Sequence, residues 1–160
     1  MLIDSHAHLD DERFNEDREK VINSLKENGI SLVINPGSDL QSSISSVKLS
    51  EEYDNIYAAV GVHPHSASEM DEGTIEILKA FGKREKVVAI GEIGLDYYYD
   101  NSPRDVQRKW FKRQIQLAKE LNLPIIVHSR DANQETFDMI KDESDRSEER
   151  RVGKECRSRW

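Results

Sequence analysis

The chain opens Met1-Leu2-Ile3-Asp4-Ser5-His6-Ala7-His8, and two histidines one residue apart make a candidate ion site. In an extended segment successive side chains alternate faces, so His6 and His8 point the same way and can reach one divalent cation. Asp4 shares that face and could fix the tautomer of a ligand histidine or line the core floor. Two further residues of ligand type follow apolar runs. Glu92 stands in Ala89-Ile90-Gly91-Glu92-Ile93-Gly94-Leu95-Asp96, where a carboxylate is costly to bury unless paired or metal-bound. His128 ends Pro124-Ile125-Ile126-Val127-His128 in the same way. Taken singly, each also fits a plain structural role: polar strand ends, a salt-bridged glutamate, a hydrogen-bonded histidine. Jointly, His6, His8, Glu92 and His128 fall at equivalent ends of three strands. Nitrogen and carboxylate donors together suit zinc, manganese or iron better than calcium. A glutamate spanning two ions would make a binuclear centre able to activate water and clamp the oxygens of a phosphoryl displacement.

Positioning such residues requires regular strands, and the first 145 residues supply the pattern. Short apolar runs occur at Leu2-Ile3, Leu32-Val33-Ile34, Ile56 to Val60, Val87 to Ile90 and Ile125-Ile126-Val127. Most are rich in β-branched residues and bounded by polar or Gly/Pro positions, as buried parallel strands are. Helical stripes lie between them. Phe14, Val21, Ile22 and Leu25 precede Gly29, and Leu40, Ile44, Val47 and Tyr53 form a second stripe. Ile75, Leu78 and Phe81 form a third. Ser102-Pro103 reads as N-cap and first helical residue of a long helix carrying Val106, Trp110, Phe111, Ile115, Ala118 and Leu121, ending before Pro124. A fifth helix is expected from about Ala132.

The residues just past the runs, His6, Asn35, His63, Glu92 and His128, are separated by 29, 28, 29 and 36 positions. That spacing fits a strand, a crossover helix and two loops, hence a βα repeat with a parallel sheet. The glycine fingerprint of a dinucleotide fold is absent. Polar residues at the C-terminal ends of the strands are what a TIM-type (β/α)8 barrel requires, and eight units take about 250 residues. The reading is therefore α/β, the first five βα units of such a barrel.

Composition narrows the class. At 160 residues one domain is expected, and no apolar run approaches the roughly 20 residues of a membrane span. The N-terminus has no secretory pattern, so a cytoplasmic location is expected. The net charge of −8 argues against a broad basic nucleic-acid face. It does not exclude an enzyme that holds phosphates through metal ions. Residues 146–160, RSEERRVGKECRSRW, carry six basic and three acidic residues, so the first 145 carry −11. This basic tail is similar, residue for residue, to one reading frame of a common sequencing adapter, and is set aside as non-native. It contains the chain's single cysteine, Cys156, and one cysteine excludes both a disulfide framework and a Cys-rich zinc module.

Four motifs in order, DSHAHL (Asp4 to Leu9), GVHPH (Gly61 to His65), GEIGLDYY (Gly91 to Tyr98) and PIIVHSRDA (Pro124 to Ala132), resemble those of the TatD family of metal-dependent hydrolases. The segment WFKRQIQLAKELNLP (Trp110 to Pro124) is similar too, and the likeness covers residues 1–142. The resemblance implies a TIM-barrel deoxyribonuclease of 3′–5′ exonuclease type with two divalent ions, of zinc, manganese or magnesium. It implies that His6 and His8 bind one ion, that Glu92 bridges both and serves catalysis, and that His128 binds the second. His63, His65, Asp96 and Arg130 would contact substrate or orient phosphate and ligands. DNA or another phosphoester is the implied substrate, with no membrane and no obligate protein partner. Family members continue with a His-Cys-Phe-Ser-Gly-like and a Ser-Asp-x-Pro-like segment, each supplying a further ligand. Neither follows Arg130 here, so this chain is expected to be an inactive fragment. Two rivals are another metal-dependent barrel hydrolase, of the polymerase-and-histidinol-phosphatase or amidohydrolase type, and a non-catalytic incomplete barrel. GEIGLDYY with its bridging-type glutamate speaks against the first.

Overall fold

A computed structural model describes residues 2–145, so the basic tail, with Cys156 and Trp160, lies outside the described residues. Five strands run in sequence order: β1 (Leu2–Asp4), β2 (Ile30–Pro36), β3 (Ile56–Val60), β4 (Val87–Asp96) and β5 (Ile125–Arg130). Every neighbouring pair is parallel and the sheet order is β1-β2-β3-β4-β5. Five helices connect and follow them: α1 (Arg18–Ser24), α2 (Leu40–Glu52), α3 (Glu72–Phe81), α4 (Arg104–Leu121) and α5 (Asn133–Asp145). Sequential parallel strands with a helix after each make a half-barrel, so the βα repeat read from the spacing is the architecture of the chain. No helix among the described residues is long and apolar enough to cross a membrane.

The larger core lies between the sheet and α3–α4, where Val60, Ile90 and Ile93 meet Ile75, Leu78, Phe111 and Leu117, all essentially inaccessible to solvent. A smaller cluster of Leu9, Ile22, Val33, Leu49 and Ile56 seals the β1–β2 end. Both borders of the sheet leave apolar surface open. Leu2 and Ile3 on β1 are 64% and 58% exposed, Phe137 on α5 is 61% exposed, and the apolar residues of β5 are only half-buried.

Boundaries differ from expectation for identifiable reasons. β4 runs on through Glu92 to Asp96, because the polar residues that interrupt its apolar run still pair with β5, with Gly94 opposite His128 and Asp96 opposite Arg130. Phe14 stands in a short 3-10 turn (Glu12–Phe14) and not in α1. The buried face of α2 is largely Ser43, Ser46 and Ser50, small enough to let the helix approach the sheet closely, whereas Ile44 is only half-buried. Pro103 is the residue before α4, and Ser102 caps nothing there. Its hydroxyl instead donates to the His65 carbonyl (3.0 Å) and accepts from the Ser68 amide (3.0 Å), tying two loops together.

Gly94 is the tightest point of the β4–β5 pair. Its φ is +153°, and a Cβ there would fall on the backbone carbonyl oxygen of His128. A backbone atom cannot swing aside as a long side chain can. Gly94→Ala should therefore destabilise the chain by about 1–3 kcal/mol, read as a lower urea midpoint with unchanged slope. An unchanged midpoint would show that the two strands are not clamped there.

Candidate metal centre

The C-terminal ends of the strands converge through backbone bonds. The Ala7 amide donates to Ile34 (3.2 Å), the Glu92 amide to Gly37 (2.8 Å) and the His63 amide to Ser38 (2.8 Å). Two glutamines of α4 complete the frame. Gln114 accepts from the Val62 amide (2.8 Å) and donates to the Val62 carbonyl (3.1 Å). Gln107 accepts from the Asp96 amide (2.9 Å) and donates to the Asp96 and Ser102 carbonyls. Both are almost fully buried, so the loops after β3 and β4 are held by side chains whose polar atoms have no better partner. Sequence reasoning passed over them. The available signal was two polar residues seven apart on the apolar face of α4.

The residues singled out from the sequence as ligands do come together. His6 and His8 lie beyond the end of β1, not within it, yet their rings share a face with the two Nε2 atoms 3.2 Å apart. Both point at one oxygen of Glu92: His6 Nε2 is 3.4 Å and His8 Nε2 3.9 Å from Oε2. The other oxygen faces the opposite way, with His128 Nδ1 3.4 Å from Oε1. The Glu92 side chain is 14% exposed. Two donor groups result, His6–His8–Glu92 and His63–Glu92–His128, each with its nitrogens and carboxylate oxygen within 4.8 Å of one another, and Glu92 belongs to both.

Asp96 stands behind this layer. Its side chain is 1% exposed and it reaches histidines, so of the two roles expected for it the geometry favours orienting ligands over contacting substrate. Oδ2 accepts from His65 Nε2 (2.8 Å) and His128 Nε2 (3.0 Å), and Oδ1 from the Tyr98 and Tyr99 amides (3.1 and 2.9 Å). A carboxylate bonded to Nε2–H of His128 holds that nitrogen as a donor and leaves Nδ1 to face Glu92, donating to it when the ring is protonated and offering a lone pair when the ring is neutral. Asp4 does not do this work. Its Oδ1 takes the His6 backbone amide (3.0 Å).

Charge follows geometry. Burial pushes the Glu92 carboxyl up, but the His128 bond and the nearby histidines outweigh it and hold the carboxyl below its usual value. Burial likewise opposes ionisation of Asp96, and the Tyr99 amide with His65 and His128 prevails, holding it at about 2. The hydrogen bond to Glu92 raises His128 against its own burial, with Asp96 helping. Burial lowers His63 to about 4, assisted by the charge on His128. His63 is thus neutral near pH 7. Its Nδ1 accepts the His65 amide (3.2 Å), so the ring proton sits on Nε2. A nitrogen carrying a proton donates and does not ligate. The donor chemistry therefore favours a substrate-facing or water-facing role for His63, although it lies within the second group.

His65 is held by Asp96 and packs edge-on against Tyr99, with ring centroids 5.4 Å apart. Arg130, at the end of β5, is exposed and its guanidinium lies 4.0 Å from the Tyr98 ring centroid. It does not reach into the carboxylate–histidine cluster.

Comparisons with known proteins identify the family. The family described as TatD related DNase matches residues 3–153. The chain is 46% identical over 143 residues to the uncharacterized metal-dependent hydrolase YabD of Bacillus subtilis, covering 89% of this chain and 56% of that protein. It is 30% identical over 140 residues to the 3′-5′ ssDNA/RNA exonuclease TatD of Escherichia coli K12, covering 88% and 54%. Among solved structures, the TatD homolog YJJV of E. coli K12 superposes with a TM-score of 0.81 at 32% identity, over 88% of this chain and 55% of that one. The chain spans about half the length of the curated relatives it matches. A family match over residues 3–153, together with these relatives, shows that this chain belongs to the TatD related DNase family.

Proposed function

We propose that the chain carries the metal-binding part of a phosphodiester hydrolase of the TatD-like 3′–5′ exonuclease type, acting on DNA or another phosphoester. One observation carries the reading: the two oxygens of a single, partly buried carboxylate, Glu92, each face a separate histidine group. The donor set fits a pair of divalent ions, since imidazole nitrogens with carboxylate oxygens suit zinc, manganese or iron, and two Nε2 atoms 3.2 Å apart need a cation or a proton between them. Bound there, such ions would supply water activation and neutralise charge on the phosphoryl oxygens. The chain's own residues do the rest. His6 and His8 present lone pairs to one side of Glu92, and His128, its tautomer fixed by Asp96, presents Nδ1 to the other. His63 offers a neutral Nε2–H to a substrate or water oxygen. The relative named as an ssDNA/RNA exonuclease supports nucleic acid as substrate. We place residues 1–145 in the hydrolase and leave 146–160 as a non-native tail.

Two measurements test this. Calorimetric titration with Mn2+ should show binding by the wild-type chain that Glu92→Gln weakens by about 10–100-fold at least. In protein excess, any shortening of an end-labelled single strand should require the metal, stop with chelator and be lost in Glu92→Gln. It should be slow, because the described residues give the second ion few donors besides Glu92 and His128. Chelator-resistant cleavage, or wild-type metal affinity in Glu92→Gln, would overturn the reading.

The metal-free chain should also show His63 in its acid stability. With the folded value near 4 and an unfolded value near 6.5, the unfolded chain binds more protons in that window. Stability therefore falls as pH drops from about 6.5 to 4. His63→Asn, which keeps an acceptor for the His65 amide, should flatten that slope in urea unfolding with chelator present. Equal slopes would contradict a neutral, half-buried His63.

A further inference from the structure

We propose that Tyr98 and Tyr99, braced by Arg130, form a stacking platform for the base of the nucleotide adjoining the phosphate held at the metal centre; this rests on the hydrolase reading above and deepens it. Three consecutive tyrosines follow Asp96, and they are used differently. Tyr97 turns into the helical layer, where its hydroxyl donates to Glu135 (2.7 Å) and Arg104 lies 4.3 Å from its ring centroid. Tyr98 and Tyr99 turn out, 58% and 53% exposed, with neither hydroxyl bonded among the described residues. Two large aromatic side chains side by side in water are an unfavourable use of apolar surface unless something covers them.

Their placement says what that is. The two rings sit edge to face, with centroids 4.8 Å apart at 88°. Arg130 lies 4.0 Å from one centroid and 4.7 Å from the other. Arg104 pairs with Asp100, Arg108 with Glu135 and Arg113 with Glu72, whereas no carboxylate among the described residues pairs with Arg130. A cation left free of carboxylates, lying on exposed rings, is the arrangement that receives a base and its phosphate together. The platform is also wired to the centre. Both tyrosine amides bond Asp96 Oδ1, and Tyr99 touches His65, whose Nε2 shares Asp96 Oδ2 with His128. Over a chain carrying −8, general attraction for phosphate away from the metal centre and Arg130 is weak, so base stacking adds to the hold on a strand entering here. Every base has a π-face, so the platform holds single strands of any sequence and not paired bases.

The test is anisotropy of a fluorescein-labelled ten-residue deoxythymidine strand against an abasic strand of the same length and charge, with Mn2+ present. The wild-type chain should favour the thymidine strand by roughly tenfold. Tyr98→Leu and Tyr99→Leu, which keep apolar bulk, should each erase most of that preference, and Tyr98→Phe and Tyr99→Phe should keep it, since stacking of one base is commonly equivalent to about 5–150-fold in affinity. Affinity for the abasic strand should not change in any of the four. Equal binding of both strands by the wild type, binding of neither, or parallel losses on both strands in the leucine variants would overturn the platform. The hydrolase reading fails separately, on the absence of Glu92-dependent Mn2+ binding, and base preference would survive that result.

Discussion

A carboxylate held in the middle of a parallel strand, largely shielded from water, sets the terms for everything around it. For Glu92, desolvation disfavours the charged form, and the neighbouring histidines outweigh that cost. The compensation comes from both sides. His128 meets one oxygen, and His6 and His8 meet the other. A pair of opposed histidine groups around one carboxylate is stable only with protons or cations between the partners. On the function proposed above, divalent ions take those positions.

Asp96 makes the arrangement specific. It is more deeply buried than Glu92 and all its bonding capacity is taken by two imidazoles and two amides. It orients His128, steadies His65 and fixes the turn that carries Tyr98 and Tyr99. The same residue therefore joins the ligand layer to the exposed aromatic surface. Gln107 and Gln114, reaching from α4 to the loops after β4 and β3, hold this layer to the helices by bonds that a purely apolar face could not make.

Much of this was legible in the residues themselves. The five strands were visible as short β-branched runs, and the half-barrel as their regular spacing. His6, His8, Glu92 and His128 could be singled out because each follows an apolar run, although in the structure Glu92 stands inside β4 and the two N-terminal histidines lie beyond β1. What escaped was depth. Alternation assigns a face but not how far a side chain sits from water, so Asp4 was a candidate for the orienting carboxylate when Asp96 holds that place. Strand ends were misjudged where polar site residues broke the apolar run, as in β4 beyond Ile90. Ser102 looked like a helix cap because a hydroxyl before proline often is one, whereas tertiary partners in the His65 loop claimed it. The buried glutamines were hidden by the general rule that a helix turns its apolar stripe inward.

The central claim is that Glu92 holds one ion on each of its oxygens. Anomalous diffraction from crystals soaked in Mn2+ tests it directly. Two peaks about 3.5–4 Å apart are predicted, one beside Oε2 with His6 and His8 and one beside Oε1 with His128 Nδ1. A single peak on one side of Glu92, or peaks that do not touch Glu92 at all, would contradict it.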